Sequence, residues 1–242
     1  MAGPLQQFEV KPIMTMVFEP LGLNISFTNS ALFMAIAVGV AAWLFKRGLD
    51  GASIVPGRMQ SLCEVIYDFV KGMIMDNVGK EGMRYMPIVM SVFLFILLGN
   101  LIGMIPGTFT YTSHIIVTLV MAVCIVGGVT VIGFARHGTH FLSLFAPAGV
   151  PMFIYPLLIP IEILSYLIRP FSLSMRLAVN MTAGHIMMKT FAGFVLAMGV
   201  FGILPFLVAV GLTGLEIVIA FLQAYVFTVL SCIYLNDAVH LH

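Results

Sequence analysis

Arg176 is a permanently charged residue inside a long apolar part of the sequence, residues 151–192. A charged side chain near the centre of a bilayer costs about 2.5 to 3.5 kcal/mol on insertion scales. A guanidinium group keeps its proton in proteins, so Arg176 cannot become neutral to avoid this cost. The sequence therefore predicts either a buried partner for Arg176 or a function that depends on a fixed positive charge.

A second apolar stretch, 204–235, carries polar residues whose positions match those around Arg176. In two antiparallel helices that fold back at a common turn, facing residues have nearly constant summed numbers. Arg176 and Gln223 sum to 399, and His185 and Glu216 sum to 401. We therefore expect the unusual polar groups of the two helices to meet in pairs at matching depth.

Further polar residues extend this line along the first helix. Asn180 lies one turn after Arg176. Arg169 lies two turns before it and Glu162 four turns before it, on roughly the same face. His185 lies nine residues after Arg176, about half a revolution around the helix. The pattern predicts two polar arms on different faces, with Arg176 where they meet.

The composition is that of a membrane protein with several spans. Of the 242 residues, 61% are apolar and 9% are charged, and the mean hydropathy is +1.11. Soluble domains contain about 25% charged residues. The net charge of +1 and the lack of a basic run give no indication of nucleic-acid binding. Cys63, Cys124 and Cys232 lack the spacing of a metal site and are expected to be small apolar fillers.

The sequence predicts a single all-α membrane domain over residues 1–242, with about five spans and one surface helix. Apolar runs long enough to cross a bilayer occur at 28–47, 87–105, 113–134, 151–192 and 204–235. Residues 54–78 place apolar side chains at helical spacing with charged ones between them, which predicts an amphipathic helix on the membrane surface. Residues 1–27 are expected to form an irregular arm on the outer side, without a cleaved signal peptide.

The distribution of basic residues predicts the orientation. The loop after the first span contains Lys46, Arg47, Arg58, Lys71, Lys80 and Arg84. The loop at 107–111 contains no basic residue. The positive-inside rule places the first loop in the cytoplasm and the amino terminus outside. The loop at 107–111 and the turn near 199–205 are then on the outer side, and the carboxyl terminus is inside.

Residues 151–192 are too long for one upright span. As one helix they would extend about 63 Å, against a hydrocarbon thickness of about 30 Å. Either the segment breaks into two spans near Arg169 and Pro170, or it forms one long, tilted helix. The summed-number register favours the second solution, a long slanted antiparallel hairpin with 204–235.

A family resemblance is carried by N-L-I-G-M-I-P-G at 100–107, R-L-A-V-N-M-T-A-G-H at 176–185 and L-Q-A-Y-V-F-T-V-L at 222–230. With these motifs the chain resembles subunit a of the F-type ATP synthase, the membrane stator beside the rotating ring of c subunits. The middle motif is the specific one. The resemblance implies that Arg176 is the essential arginine of this family, that Asn180 is its companion asparagine, and that Gln223 is the glutamine of the carboxyl-terminal helix.

The resemblance also implies a function: proton transport coupled to ATP synthesis, with no cofactor, no metal and no enzymatic activity of the chain on its own. Protons in this family pass through two offset half-channels that are joined only through a carboxylate of the c ring. The expected partners are the c ring, subunit b or an equivalent peripheral stalk, the remainder of the ATP synthase, and membrane lipids. His185 and Glu216 resemble the mitochondrial-type arrangement, and we expect a bacterial inner (plasma) membrane rather than a mitochondrial inner membrane.

Two interpretations remain open for the residues of the hairpin. His185 and Glu216 could relay protons, because histidine titrates at about pH 6.5, or they could fasten the two helices as a buried pair. Asn180 and Gln223 cannot titrate, so they could hold water or join the helices.

Two roles also remain open for each of the polar residues that lie farther from Arg176. Glu162 could line the exit half-channel near the cytoplasm or extend to the membrane surface. Arg169 is expected to pair with Glu162 or to reach lipid headgroups. His114 opens the third span on the outer side, where it could line the inlet or only begin its helix.

Two other classes of membrane protein agree less well with the sequence than a stator does. A self-contained ion channel or secondary transporter is expected to show internal repeats and interrupted helices, and the sequence shows no internal repeat. An intramembrane metalloprotease would need a motif such as H-E-x-x-H, which does not occur. Sodium remains an alternative to the proton as the coupling ion.

Overall fold

Helices that are apolar and long enough to cross a membrane dominate the structure. The computed structural model describes residues 12–14, 17–18, 23–24, 27–50, 53–105, 108–145 and 153–240. Within these ranges five helical segments have the length and hydropathy of membrane spans. The predicted all-α polytopic membrane fold is therefore confirmed.

The first half of the chain contains three of the spans and one amphipathic helix. Its helices are α1 (Asn29–Leu49), α2 (Arg58–Asn77), α3 (Met86–Gly103) and α4 (Ile115–His137). Helix α1 begins at Thr28, whose side chain accepts a hydrogen bond from the Ala31 amide. This contact satisfies one of the amide groups that every helix leaves free at its start.

Helix α2 is the amphipathic element. It packs against α1, α3 and α6 and buries Val70, Met73 and Ile74 in the main core. Its charged residues Glu64 and Asp68 are exposed. The helix starts after Gly57, four residues later than the start of the predicted surface helix.

The second half of the chain forms one long hairpin. Helix α5 (Tyr155–Met198) has 44 residues, and helix α6 (Ile203–Val239) has 37. Helix α5 is continuous through Pro160 and Pro170, although each proline lacks the amide that would donate to the preceding turn. A long helix rather than a break at Arg169 and Pro170 is therefore the correct solution, as the register indicated.

The turn between the two long helices is short. Gly199 ends α5 with a φ of +54°, a backbone conformation that residues with a Cβ rarely adopt. Residues Gly199–Gly202 form a single 3₁₀ turn that leads directly into α6. Such a short connection fixes the register of α5 against α6.

The hairpin lies against the first helices of the chain. Helix α5 packs on α4, and α6 packs on both α3 and α4. The main core is filled by side chains of α2 to α6, and a smaller cluster joins α1 to the loop after α3 through Ala37, Phe109 and Tyr111. One face of the hairpin is thereby covered by the chain itself, and the other is left open.

Most of the predicted arm at 1–27 lies outside the described residues. Four short strands are described in this region, β1 (Pro12–Met14), β2 (Val17–Phe18), β3 (Leu23–Asn24) and β4 (Phe27–Thr28). β1 pairs antiparallel with β4, and β2 pairs antiparallel with β3. The described strands thus form two nested ladders directly before α1.

Candidate functional site

A buried pair of titratable side chains joins the two long helices. His185 of α5 and Glu216 of α6 are each 4% exposed. His185 Nδ1 lies 3.5 Å from Glu216 Oε1. The predicted contact between these two residues is therefore confirmed, and with it the register of the hairpin.

Gly184 provides the space for the carboxyl group of Glu216. A Cβ atom at position 184 would lie 2.8 Å from Glu216 Oε1, closer than real contacts allow. The glycine therefore lets the carboxyl group lie directly against the backbone of α5, beside the imidazole of His185. This accounts for the glycine before the histidine in the motif at 176–185.

Thr110 contacts the imidazole of His185 on the side away from Glu216, and no sequence pattern predicted this contact. Its Oγ1 atom lies 3.0 Å from His185 Nε2, and the same hydroxyl donates to the Gly103 carbonyl at 3.1 Å. Thr110 is 2% exposed. The run of hydroxyl residues in T-F-T-Y-T-S at 108–113, between two apolar spans, is the signal that could have identified it.

Two glycines of α3 allow the loop that contains Thr110 to pack closely against this helix. A Cβ atom at Gly99 would clash with the Tyr111 hydroxyl, and one at Gly103 would lie 2.6 Å from Thr110 Oγ1. Tyr111 donates a hydrogen bond to the Phe95 carbonyl at 2.7 Å. The close approach of the loop to α3 is what brings Thr110 within reach of α5.

His114 lies at the end of the same loop, immediately before α4. Its ring stacks on Phe109 with 5.1 Å between the ring centroids. The neighbouring Ser113 carbonyl accepts a hydrogen bond from Thr182 of α5 at 3.4 Å. His114 therefore lies beside the loop–hairpin contact, and its role in an inlet remains a prediction.

A groove of about 250 Å³ lies between the two long helices, and Glu216 is one of its lining residues. Asn180, Gly184 and Gln223 share its lining with Glu216 and a set of apolar residues. The two amide side chains that were predicted to accompany Arg176 therefore lie on the same groove. Its polar groups suit bound water, because amide and carboxyl groups can provide several hydrogen bonds.

Arg176 lies one turn before Asn180 and is exposed at the surface of the chain. Its neighbours Leu177 and Ala178 are buried, so α5 turns the guanidinium away from the packed core. Within the part of the chain that the structure describes, the Arg176 side chain makes no hydrogen bond and no ion pair. A buried partner inside this chain, one of the two sequence-based alternatives, is thus not found among the described residues. The predicted facing of Arg176 and Gln223 stays a prediction.

The expectation that Arg169 pairs with Glu162 is wrong. Arg169 Nη1 lies 3.1 Å from Asp237 Oδ2 near the end of α6, and the guanidinium also stacks over the rings of Tyr166 and Tyr234. The close packing of the hairpin ends places the α6 carboxylate nearer to Arg169 than Glu162, which is two turns away along α5. Glu162 itself is half-buried, and its place on a proton path remains a prediction.

Among the described residues, no group of three or more His, Cys, Asp or Glu side chains comes together. The titratable groups of the site include one buried pair, His185 and Glu216. The cation Arg176 is exposed on the open face of the hairpin. Such an arrangement can bind, hold and transfer protons.

The chain matches the family model described as ATP synthase A chain over residues 28–236. It belongs to the ATP synthase A chain family. Relatives named ATP synthase subunit a include one from Rhodospirillum rubrum, 54% identical over 100% of both chains. Another, from Paramagnetospirillum magneticum, is 49% identical over 100% of both chains. A third, from Rhizobium etli (strain CIAT 652), is 49% identical over 98% of this chain and 97% of its own length.

Membership of the ATP synthase A chain family, together with the five candidate spans, makes the protein a membrane component of the ATP synthase. ATP synthesis and proton transport follow from this family. The matched residues 28–236 include α1 to α5 and all but the last residues of α6, and they include every candidate site residue. The resemblance expressed by the three sequence motifs is therefore confirmed.

Proposed function

We propose that the chain is the proton-translocating stator of the ATP synthase membrane sector, in which two offset half-channels protonate and deprotonate a carboxylate of the c ring. The observation that carries this proposal is the exposed, unpaired guanidinium of Arg176 on the open face of the hairpin. A charge left without a partner among the described residues suits a partner supplied by another subunit. A ring of c subunits, each with a membrane carboxylate, has the complementary charge.

The charge of Arg176 has the right magnitude to drive loss of the proton from such a carboxyl group. At 4 Å and an effective dielectric constant of 20, two opposite unit charges attract by about 4 kcal/mol. An attraction of this size favours the ionised carboxylate by roughly a thousandfold, since each factor of ten corresponds to about 1.36 kcal/mol. One charge that crosses 100 mV releases only about 2.3 kcal/mol. The contact must therefore be transient and screened by water, because a permanent ion pair would stop the ring.

The buried polar groups support separate paths on the two sides of Arg176. Thr110, His185 and Glu216 lie toward the 108–114 loop and the Gly199–Gly202 turn, which the predicted orientation places on the outer side. Glu162 and Arg169 lie toward the opposite end of the hairpin, where Asp237 is found. The groove between the two long helices is lined by Glu216, Asn180 and Gln223, and Asn180 lies one turn from Arg176. Each arm thus approaches Arg176 from one side only, and the cation prevents a free proton from crossing.

The proposal includes the partners and the location of the chain. The c ring covers the Arg176 face, subunit b or an equivalent stalk holds the chain against rotation, and no cofactor is needed. The three relatives above come from bacteria, which supports a bacterial inner (plasma) membrane. A self-contained channel or transporter would need no neighbour at Arg176, and this distinguishes the alternative experimentally.

The decisive experiment is proton-driven ATP synthesis in membrane vesicles that contain the assembled complex with Arg176→Ala. We expect synthesis to fall to the background level and passive proton leakage to rise, because the fixed cation between the two paths is lost. Arg136→Ala is the matched control, since Arg136 pairs with Glu81 at an exposed site on another helix and exposed pairs contribute little. Retention of proton-driven synthesis by Arg176→Ala would refute the proposal.

A second experiment tests for the ring itself. A photo-crosslinking residue at Val179, which is 49% exposed and lies almost one turn from Arg176, should form an adduct with the c subunit. The same probe at Val131 of α4, which is 68% exposed, serves as the comparison. Adducts with lipid alone at Val179 would contradict a ring that covers this face.

A further inference from the structure

Thr110 makes a hydrogen bond to Nε2 of the His185 ring, on the side away from Glu216. Its Oγ1 atom lies 3.0 Å from His185 Nε2 and 3.1 Å from the Gly103 carbonyl oxygen. A threonine hydroxyl carries a single proton and can accept further hydrogen bonds. The two contacts therefore have to share one hydroxyl proton.

The chemistry of the Gly103 carbonyl group determines which of the two contacts uses the hydroxyl proton. A carbonyl oxygen can only accept, so the Thr110 hydroxyl must donate to it. Gly103 is the last residue of α3, where carbonyl groups have no partner within the helix. The hydroxyl oxygen then faces His185 with its lone pairs, and Nε2 must carry a proton to complete the second hydrogen bond.

This assignment leaves Nδ1 as the ring atom that faces Glu216. In a neutral imidazole with its proton on Nε2, Nδ1 is an acceptor. The Nδ1 atom lies 3.5 Å from Glu216 Oε1, and both side chains are 4% exposed. Two states fit this geometry: a neutral imidazole beside a carboxylic acid, or an imidazolium beside a carboxylate.

We propose that Thr110 is a positioning residue that holds His185 with a proton on Nε2, so that Nδ1 is the atom that exchanges a proton with Glu216. In the exchange the O–H bond of the Glu216 carboxylic acid breaks and an N–H bond forms at Nδ1, which leaves a carboxylate and an imidazolium. The pair holds one exchangeable proton, and Thr110 does not pass a proton itself. The consequence for transport rests on the proposed function, whereas the tautomer does not.

Charged and titratable groups around the ring are few among the described residues. Glu216 approaches from α6, Thr110 approaches from the loop after α3, and Lys189 lies one turn along α5. Glu216 is the titratable group at the Nδ1 side of the ring. Glu216 also lines the groove between the long helices, and this groove is the proposed route by which protons reach or leave the pair.

The experiment is a ¹⁵N solid-state NMR measurement on the assembled complex with ¹⁵N-labelled histidine, over a pH series. The His185 signals are identified by their loss in His185→Gln. At the pH where the ring is neutral, we expect a protonated Nε2 and a bare Nδ1. Thr110→Val should give a mixture of both tautomers, and Thr110→Ser should restore the original spectrum because it keeps the hydroxyl group.

Thr112→Val is the matched control for the loop. Thr112 is buried two residues away, and its hydroxyl oxygen has no hydrogen-bond partner among the described residues. The same isosteric change should leave the His185 spectrum unaltered. In proton-driven ATP synthesis we expect a loss of roughly 5- to 10-fold for Thr110→Val, the size expected for one hydrogen bond, and less than twofold for Thr110→Ser and Thr112→Val.

Several results would overturn this inference. A neutral ring with its proton on Nδ1, a spectrum unchanged in Thr110→Val, or an imidazolium that persists at every pH would each contradict it. An equal loss of synthesis in Thr110→Val and Thr112→Val would indicate that the loop only supports the fold. None of these results depends on Arg176→Ala, so failure of this inference and failure of the proposed function are distinguishable.

Discussion

Gly184→Ala tests whether the exact position of the Glu216 carboxyl group matters for transport. The new methyl group would lie 2.8 Å from Oε1 and 3.1 Å from the carboxyl carbon, whereas ordinary contacts begin at about 3.4 Å. The flexible end of the glutamate side chain must therefore move, while the helix itself is retained. Alanine also has a better helix propensity than glycine by up to about 1 kcal/mol, so loss of the fold is not expected.

The effect on the pair follows from its distance. At 3.5 Å and an effective dielectric constant of 20, an imidazolium and a carboxylate attract by about 4.7 kcal/mol. A displacement that lengthens the contact by about 1 Å reduces this attraction by about 1 kcal/mol, which corresponds to roughly fivefold in the population of the charged pair. We therefore expect proton-driven ATP synthesis to fall by about fivefold in Gly184→Ala.

Gly193→Ala provides the control on the same helix. No atom lies within 4 Å of a Cβ added at Gly193, so this change alters helix propensity without touching the pair. Both variants are assembled in membrane vesicles, and synthesis is normalised to the amount of complex and to its ATP hydrolysis. Equal rates in the two variants would refute the reasoning, because the carboxyl position would then have no influence on transport.

Two further predictions concern stability and follow from contacts outside the buried pair. Gly99→Ala should destabilise the chain by about 1 to 3 kcal/mol, because the added methyl group meets the Tyr111 hydroxyl in a packed core. Gly127→Ala is the control, since nothing lies within 4 Å of a Cβ added there. Equal thermal unfolding temperatures for the two variants would contradict this prediction. Asp237→Ala removes the partner of Arg169 at 3.1 Å, and because the two side chains are 30% and 32% exposed, we expect a loss of only about 0.5 to 1 kcal/mol in the same measurement. A loss above about 3 kcal/mol would show that the pair is effectively buried.

The hairpin register is the part of the site that sequence reasoning predicted best. The sum of residue numbers brought His185 opposite Glu216, and the two side chains do meet. This prediction succeeds because a short turn and two continuous helices leave only one register free. Helix α5 also passes through Pro170 without a break.

Side-chain contacts between elements that are far apart in the chain could not be predicted from the sequence. Thr110 and His185 are 75 residues apart, and no periodic pattern relates the two positions. Arg169 and Asp237, 68 residues apart, lie on the two hairpin helices, but their numbers sum to 406 rather than about 400, so the summed-number pattern did not single out this pair. The Thr110–His185 contact depends on how α3, the loop after it and α5 pack together, and a sequence pattern within one helix does not contain that information.

The amino-acid sequence by itself determined the membrane class, the number of spans, the hairpin and the polar residues that interrupt it. These features follow from local composition and helical periodicity, because a bilayer requires long apolar helices and makes each internal charge conspicuous. Only the tertiary structure decided that Thr110 adjoins His185, that Asp237 pairs with Arg169, and that Arg176 lies on the open face of the hairpin. Side-chain partners across elements are set by the packing of the whole chain, where glycines such as Gly103 and Gly184 allow close approach.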